Sequence, residues 1–295
     1  MKKKIIHIVR SPVGGIRKHI LSIVDGLSEE YDMYLILDSS KADQGYFDFI
    51  NDSSKNNIQI FDIQIDEKPG FKDLVNIFKV TSIARGISPD IIHGHGAKGG
   101  LYSRIVGLLL KVKIIYTAHG GSVHDMHGKA KNILYGIVEK ILYLITDLLV
   151  FESKYTMNQY SKKIEGKSDK YRLNYNAIEL KSDFSSLECR NIDPSGKILI
   201  GAFGALRFIK GHDVLIHSVA KLRLKGYDIF LKIYGEGEEE ENLKKLATFC
   251  KIEEFVKIES KTSSVDKEMS HCHIVAHPSR FESFGYVPLE AISNG

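Results

Sequence analysis

Short apolar runs alternate with longer stretches of helical periodicity along the chain. The run at 4–9 predicts a buried strand, and apolar residues at every third or fourth position predict a helix at 16–27. By the same criteria we predict strands at 33–37, 58–63, 91–93, 113–117 and 148–151, and helices at 74–84, 101–110 and 133–145. Strands that alternate with helices in this way are typical of parallel α/β construction.

The alternation restarts in the second half of the chain, after a polar segment. Residues 182–195 contain few apolar side chains, and the turn signal Asp193-Pro194-Ser195-Gly196 ends the segment. Beyond it we predict strands at 197–203, 230–234, 256–258 and 273–277, and helices at 212–225 and 238–250. The sequence thus predicts an α/β fold of two Rossmann-like parallel-sheet domains, 1–180 and 197–295, with a linker at 181–196. Two such domains facing one another leave a cleft at the carboxyl ends of their strands, where open α/β sheets bind ligands.

The composition narrows the function classes. The chain has 295 residues, of which 43% are hydrophobic and 26% charged, and its formal net charge is +4. This basic excess is too weak to indicate a nucleic-acid partner, which needs a clustered basic face. The most apolar stretch, at 133–151, contains charged residues, and Arg10 and Pro12 end the first apolar run early. We therefore expect no membrane span, no signal peptide and a cytoplasmic location.

The clearest chemical signal lies between Pro278 and Ala291. Glu282 and Glu290 stand eight positions apart, on either side of a glycine-containing turn that opens a helix after a predicted strand. A helix N-terminus presents unpaired N–H groups and the positive end of the helix dipole, which suits a diphosphate. A surface turn with two solvated glutamates is the alternative, but the flanking Pro-Ser-Arg and Phe-Gly favour a binding site.

This segment resembles the E-x(7)-E donor site of the retaining glycosyltransferases of family 4, which have the two-domain GT-B fold. The resemblance implies that Glu282 contacts hydroxyls of the transferred sugar and that Glu290 bonds the ribose of the donor nucleotide. It also implies that the turn between the two glutamates holds the donor phosphates, through Ser283, Phe284, Gly285 and Tyr286.

Two further motifs of the second domain follow in the family's order. The segment 204–213, which begins at Gly204, resembles the family's Arg/Lys–Gly turn. By that resemblance Arg207 and Lys210 would neutralise the diphosphate leaving group, a task that suits fixed cations. A basic loop in solvent is the alternative for the turn taken alone. Gly235 opens a Gly-x-Gly turn that resembles the one near the nucleoside base.

The first domain carries matching motifs. Gly14 and Gly15 resemble the glycine loop that approaches the donor phosphates, where only glycine allows backbone to come close. A dinucleotide-binding loop is the rival interpretation, although the spacing is not G-x-G-x-x-G. His119, after the strand at 113–117, resembles the histidine that bonds a sugar hydroxyl or stabilises developing charge. His95 and Lys98 belong to a segment that resembles the loop lining the acceptor side.

Histidines at positions 93 and 95 also raise the question of a metal. His93 and His95 stand two residues apart on a predicted strand, a spacing that metal ligands can have. The sequence shows no evident third ligand, and the family is metal-independent. We therefore expect no metal and no cofactor, with a UDP-sugar as the donor substrate.

The resemblance implies a retaining transfer of sugar from a nucleoside-diphosphate donor to a glycan acceptor, by a front-face, oxocarbenium-like path. A basic face near the apolar helix at 133–145 would suit a lipid-linked acceptor at the inner face of the cell membrane, as in cell-surface polysaccharide synthesis. The basic residues concerned are Lys2, Lys3, Lys4, Arg17, Lys18, Lys129 and Lys131. The alternative is a core helix with solvated lysines.

The C-terminal end keeps rival functions open. Members of the family continue beyond a segment like 290–295 into another strand and several helices, so we expect an incomplete second domain. A catalytically inactive relative that serves as a binding or assembly subunit is the main rival. A sugar-nucleotide epimerase of the same fold and a nicotinamide-dependent enzyme are the others.

Overall fold

The computed structural model describes residues 1–52, 58–120, 129–165, 168–179, 193, 196–260, 262 and 264–295, with the backbone alone at 129 and 130. The chain divides into two compact units, Met1–Asn176 and Ala177–Gly295. The linker predicted at 181–196 lies almost entirely outside the described residues.

The first unit is built on a parallel sheet. Its strands are β1 (Lys3–Val9), β2 (Tyr31–Leu37), β3 (Gln59–Asp62), β4 (Ile91–His95), β5 (Lys113–Thr117), β6 (Leu148–Phe151) and β7 (Tyr171–Leu173). Its helices are α1 (Gly14–Gly26), α2 (Gln44–Ile50), α3 (Phe71–Ile87), α4 (Gly96–Leu110), α5 (Lys129–Leu144) and α6 (Lys154–Ile164). The strand order β3-β2-β1-β4-β5-β6-β7 reverses between β1 and β4, which makes that boundary the switch point of the sheet.

Alternate residues of β1 enter two different cores. Ile6 and Ile8 join the core that includes α3 and α4, whereas Ile5 and Val9 join the core that includes α1. Burial on both faces explains why this strand is a nearly continuous apolar run, as the sequence predicted. Alternation also assigns His7 to the same face as Ile5 and Val9, which is the face that α1 covers.

The second unit repeats this construction on a smaller scale. Its strands are β8 (Ile198–Phe203), β9 (Ile229–Tyr234), β10 (Val256–Glu259) and β11 (Ile274–Val275), paired in parallel in the order β10-β9-β8-β11. Its helices are α7 (His212–Leu224), α8 (Glu240–Phe249), α9 (Val265–His271) and α10 (Tyr286–Ser293). The switch point lies between β8 and β11. The predicted α/β class with parallel sheets is confirmed in both units.

Among the helices that the structure describes, none is both long enough and apolar enough to cross a membrane.

Glycine lets α4 approach the first sheet closely. A Cβ placed on Gly99 would lie 2.1 Å from the backbone oxygen of Ile8, whereas one placed on Gly86 of α3 would meet nothing within 4 Å. We expect Gly99→Ala to destabilise the first unit by about 1–3 kcal/mol, because the helix must move away from β1. Gly86→Ala should be neutral or stabilising by about 0.4–1 kcal/mol.

Urea unfolding followed by circular dichroism would compare these two alanine variants. Equal stability of the two would show that the close contact between α4 and β1 contributes nothing.

Candidate functional site

Buried histidines meet at the carboxyl edge of the first sheet, at its switch point. They are His7 on β1, His19 on α1, His93 and His95 on β4, and His119 just after β5. Parallel pairing sets His7 beside His93 and Val9 beside His95. Strand alternation then places His93 and His95 on the same face of β4, so three imidazoles share the surface that α1 covers. The His119 side chain is only 3% exposed.

One carboxylate orients two of these rings. Glu152, which follows β6, accepts a hydrogen bond from Nδ1 of His119 at 2.9 Å and from the side-chain amide of Asn176 at 3.1 Å. A carboxylate only accepts, so the proton of His119 is on Nδ1. The amide nitrogen of Asn176 faces Glu152, so its oxygen accepts from Nδ1 of His19 at 2.6 Å.

Hydrogen bonds continue from ring to ring. Nε2 of His119 lies 3.2 Å from Nδ1 of His95, and Nε2 of His95 lies 3.0 Å from Nδ1 of His7. When His119 is neutral its Nε2 accepts, so His95 donates to it and His7 donates to His95. His93 bonds Thr117 at 2.9 Å. Among the described residues, the Nε2 atoms of His7 and His19 are buried without a hydrogen-bond partner.

Burial makes most of this cluster uncharged. Burial first, and a neighbouring imidazole second, lower the pKa of His7 to about 3 and that of His19 to about 4. Burial, then neighbouring imidazoles, hold the pKa values of His93 and His95 well below their usual range. Burial also acts to raise the pKa of the Glu152 carboxyl, but His119, together with His19 and Asn176, outweighs burial, and the pKa lies below its usual value. At neutral pH these four rings are therefore neutral, beside an ionised Glu152.

Lys98, predicted on the acceptor side, has an internal partner. Its ammonium lies 2.6 and 2.8 Å from the two carboxylate oxygens of Asp73 on α3, and the side chains of both residues are largely buried. Tyr102 donates to the same carboxylate at 2.6 Å. The lysine thus ties α4 to α3, and its contact with an acceptor stays a prediction.

The predicted basic face is not a single surface. Lys3 and Lys4 lie at the amino end of β1, where the Lys4 ammonium donates to the backbone oxygen of Ile87. Arg17 is on α1, which follows the carboxyl end of that strand, and it pairs with Asp43 at 3.1 Å. The direction of β1 therefore separates these two groups of charges, which we had expected on one face of the first domain. The side chain of Lys129 lies outside the described residues.

In the second unit, two predicted motifs meet at the switch point. The turn after β8 brings the Lys210 ammonium to 2.7 Å from the Glu282 carboxylate, in the loop after β11. His277 donates from Nε2 to the same carboxylate oxygen at 3.1 Å. Burial acts to raise the pKa of Glu282, but the hydrogen bonds from His277 and Lys210 outweigh it and lower the pKa to about 2. Glu282 is thus a fixed anion throughout the physiological range.

Arg280 fastens the loop after β11 to the turn after β8. Its guanidinium makes two hydrogen bonds to Asp213 at 2.7 and 2.6 Å, and its backbone N–H donates to Ile209 at 2.8 Å. Gly211 allows this closeness, because a Cβ there would lie 2.2 Å from the backbone oxygen of Pro278. The sequence singled out neither Arg280 nor Asp213 for this role.

Three of the predicted donor-binding glycines lie at positions that favour glycine, two through their backbone conformation and one through close packing. Gly285 has a φ of 88° and immediately precedes α10, so Tyr286 begins the helix and Glu290 lies one turn along it. Ser283 and Phe284 belong to the turn before it. Gly204 has a φ of 139°. A Cβ placed on Gly235 would lie 2.0 Å from the backbone oxygen of Gly204. The exposed Arg207 directly precedes the helical turn that carries Lys210.

The glycine loop of the first unit opens α1. Gly14 has a φ of 53°, and its backbone N–H donates to the Asp43 carboxylate at 2.8 Å. Gly15 is the second residue of the helix. The site roles predicted for these glycines remain predictions.

Two family models match the sequence. The model for Glycosyltransferase Family 4 matches residues 13–182, and the one for glycosyl transferases group 1 matches residues 189–295. The chain belongs to Glycosyltransferase Family 4. These matches confirm the family resemblance and the glycosyltransferase class predicted from the sequence.

Two relatives are glycosyltransferases, and a solved structure has a similar fold. The chain is 39% identical over 92 residues to an uncharacterized glycosyltransferase of Haemophilus influenzae, a match that spans 31% of this chain and 26% of the relative. An uncharacterized glycosyltransferase of Methanocaldococcus jannaschii is 23% identical over 298 residues, covering 95% of this chain and 73% of the relative. HepE of Anabaena, solved with UDP and glucose, superposes with a TM-score of 0.77 at 18% identity, covering 99% of this chain and 78% of HepE. At that identity the likeness shows the fold alone.

Proposed function

We propose that this family 4 protein is a retaining glycosyltransferase that moves a sugar from a UDP-sugar to a glycan acceptor. The observation that carries the proposal is the Glu282 carboxylate, kept ionised by Lys210 and His277 at the switch point of the second sheet. A fixed anion there suits recognition of sugar hydroxyls, which donate hydrogen bonds. HepE, which has a similar fold, was solved with UDP and glucose, which supports UDP as the nucleotide.

In this proposal the cations of the second unit stabilise the departing diphosphate. Arg207 and Lys210 supply the charge, and the N-terminus of α10 at Gly285 supplies N–H groups and the positive end of its dipole. Lys210 pairs with Glu282 in the structure, so binding of diphosphate redirects the lysine and leaves Glu282 for the sugar. His119 contacts a sugar hydroxyl through Nε2, which exchanges its bond to His95 for one to the substrate.

Donor turnover tests the proposal. The purified protein is incubated with a set of nucleoside-diphosphate sugars, with and without lipid-linked glycan acceptor, while release of the nucleoside diphosphate is measured. Acceptor-dependent release of UDP with retained anomeric configuration in the product is the expected result. Donor binding in thermal melts with no release under any condition would instead support an inactive binding subunit. Release without acceptor would support a hydrolase, and conversion of the donor into another nucleotide sugar would support an epimerase.

A second observation concerns the acceptor. One face of α5 exposes aliphatic side chains with 38% to 72% of their surface accessible, namely Ile133, Leu134, Ile137, Val138, Ile141 and Leu144. Lysines lie on and beside this helix, including Lys131, Lys140 and Lys163, whose side chain comes close to Gly136. An apolar helix face with basic neighbours is the pattern of a helix that lies in the interface of an anionic membrane. We infer that α5 holds the enzyme at a membrane surface, where a lipid-linked acceptor is presented.

Substituting three of these isoleucines by serine (Ile133, Ile137 and Ile141) is expected to weaken membrane binding roughly 100-fold, because about 1 kcal/mol per side chain is lost. Sedimentation with vesicles of phosphatidylglycerol and phosphatidylcholine measures the partitioning. The matched control replaces Leu108 and Leu109 by serine, since these leucines of α4 are 54% and 57% exposed. Equal loss in both variants, or no binding by the parent protein, contradicts the role of α5.

A further inference from the structure

Three imidazoles of the first unit converge in the way that metal ligands do. His19, His95 and His119 each offer a ring nitrogen, and these nitrogens lie within 4.8 Å of one another. Their ring centroids are 4.7, 5.4 and 5.5 Å apart. A tetrahedral cation with nitrogen ligands about 2 Å away spaces ring centroids by about 5 Å. The observed spacings bracket that value.

The opposite nitrogen of each of these rings already has a partner. Nδ1 of His119 donates to Glu152, and Nδ1 of His19 donates to the side-chain oxygen of Asn176. Nε2 of His95 lies beside Nδ1 of His7. When the proton of His95 moves from Nδ1 to Nε2, Nε2 donates to His7 and Nδ1 becomes available to a cation. Metal-bound histidines characteristically donate their other N–H to such acceptors, which fixes the ring and its tautomer. The nitrogens that remain for a cation are Nε2 of His19, Nε2 of His119 and Nδ1 of His95, and the last two give up the hydrogen bond between them when a cation binds.

His19 supplies independent evidence of a ligand. Its residue is only 3% exposed, and its Nε2 is buried without a hydrogen-bond partner among the described residues. A buried polar nitrogen without a partner destabilises the folded state, and a bound cation removes that cost.

A second group of three histidines fits less well. His7, His93 and His95 also bring ring nitrogens within 4.8 Å. However, Nε2 of His93 is engaged by Thr117, and the structure shows no carboxylate or amide bonded to any of these three rings in its described part. The group formed by His19, His95 and His119 has the more complete outer shell.

We propose that His19, His95 and His119 form a binding site for a divalent transition-metal ion of the zinc type, with Glu152 and Asn176 as the outer acceptors that orient two of the rings. The site lies at the carboxyl edge of the first sheet and is no part of the proposed transfer reaction, which needs no metal. It departs from the expectation of no metal because the fold supplies the third histidine that the sequence did not show. A cation there occupies the same Nε2 of His119 that the proposed sugar contact uses, so the two occupants exclude one another.

Metal binding by the chelator-treated full chain tests this site. Calorimetry with Zn²⁺ should show one ion per chain with a Kd below about 10 µM, equivalent to about −7 kcal/mol. Co²⁺ should give the visible absorption of a four-coordinate site with nitrogen ligands. His19→Ala and His119→Ala should each weaken Zn²⁺ binding at least about 100-fold, and Glu152→Gln about 10- to 100-fold.

The control variant is His217→Ala, because Nδ1 of this histidine lies 3.7 Å from Sγ of Cys250 and the pair could capture metal adventitiously. Loss of binding in this control with retention in the His119 variant would overturn the proposal. So would a parent protein that binds neither Zn²⁺ nor Co²⁺ in this range. Circular dichroism of each variant shows whether weaker binding comes from a lost ligand or from unfolding. If the alanine variants do not fold, Glu152→Gln, which keeps a hydrogen-bond acceptor beside His119, provides the test.

Discussion

Glu282→Gln is expected to lower the rate of sugar transfer by about 100- to 1000-fold while leaving the second unit folded. Glutamine has the same shape and keeps one oxygen for Lys210 or His277, so the loop after β11 retains a local bond. What disappears is the negative charge that the proposal assigns to binding sugar hydroxyls and to balancing Lys210. The measurement is UDP release from the donor identified for the parent protein, with melting temperature as the folding check.

The pH dependence of this variant sharpens the test. The pKa of Glu282 is lowered from an ordinary 4.5 to about 2, so ionisation stabilises the folded state fully above pH 4.5. That stabilisation is lost as the pH falls through about 2. The transfer rate of Glu282→Gln relative to that of the parent should therefore show no step from titration of the Glu282 carboxyl between about pH 5 and 9. Exposed Glu254 provides the control, Glu254→Gln, which should transfer sugar at the parent rate. If Glu282→Gln kept more than half of the parent's transfer rate, Glu282 would have no part in the mechanism.

The strands of both sheets could be predicted from the sequence because parallel strands are buried on both faces. Ile5, Ile6 and Ile8 enter cores on opposite sides of β1, so the strand reads as a continuous apolar run. The turns that carry Gly211 and Gly285 were accessible for a related reason, since glycine marks backbone that other residues avoid or cannot approach. Short elements such as α2 and β7 left too weak a pattern to predict.

The hydrogen-bond partners of the site residues could not be predicted from the sequence in the same way. Glu152 and Asn176 are 33 and 57 positions from His119, and only the strand order of the first sheet brings all three together. His7 lies in an apolar strand, where a single histidine reads as core. His277 precedes Glu282 by five residues, but its hydrogen bond depends on the loop that Arg280 fastens to Asp213. The ion pair of Lys98 was missed for the same reason. Its partner Asp73 lies 25 residues earlier, so the sequence indicated only a role for Lys98 toward the acceptor.

Glu139→Leu is expected to be the most destabilising single change in the first unit, at about 3–5 kcal/mol. Glu139 on α5 holds Arg104 on α4 through bonds of 2.6 and 3.1 Å, and the side chains are only 7% and 1% exposed. Leucine in place of Glu139 leaves a guanidinium buried without its counter-ion. Urea unfolding followed by hydrogen exchange at α4 and α5 assigns the loss to this unit. Lys113→Ala removes an ion pair whose lysine side chain is 75% exposed and should cost less than about 1 kcal/mol.

The double variant Arg104→Met, Glu139→Leu distinguishes a stabilising ion pair from one that is merely costly to break. Replacing a buried pair by apolar residues is often neutral, because desolvation of both charges offsets their attraction. Here Tyr160 also donates to Glu139 at 2.8 Å, so the double variant leaves a buried hydroxyl without its acceptor. We expect the double variant to recover most of the loss and to remain about 1–3 kcal/mol below the parent. Adding Tyr160→Phe should remove that remainder. A double variant as unstable as Glu139→Leu would mean that the pair itself contributes the stability, and that α4 and α5 depend on their charges rather than on apolar packing.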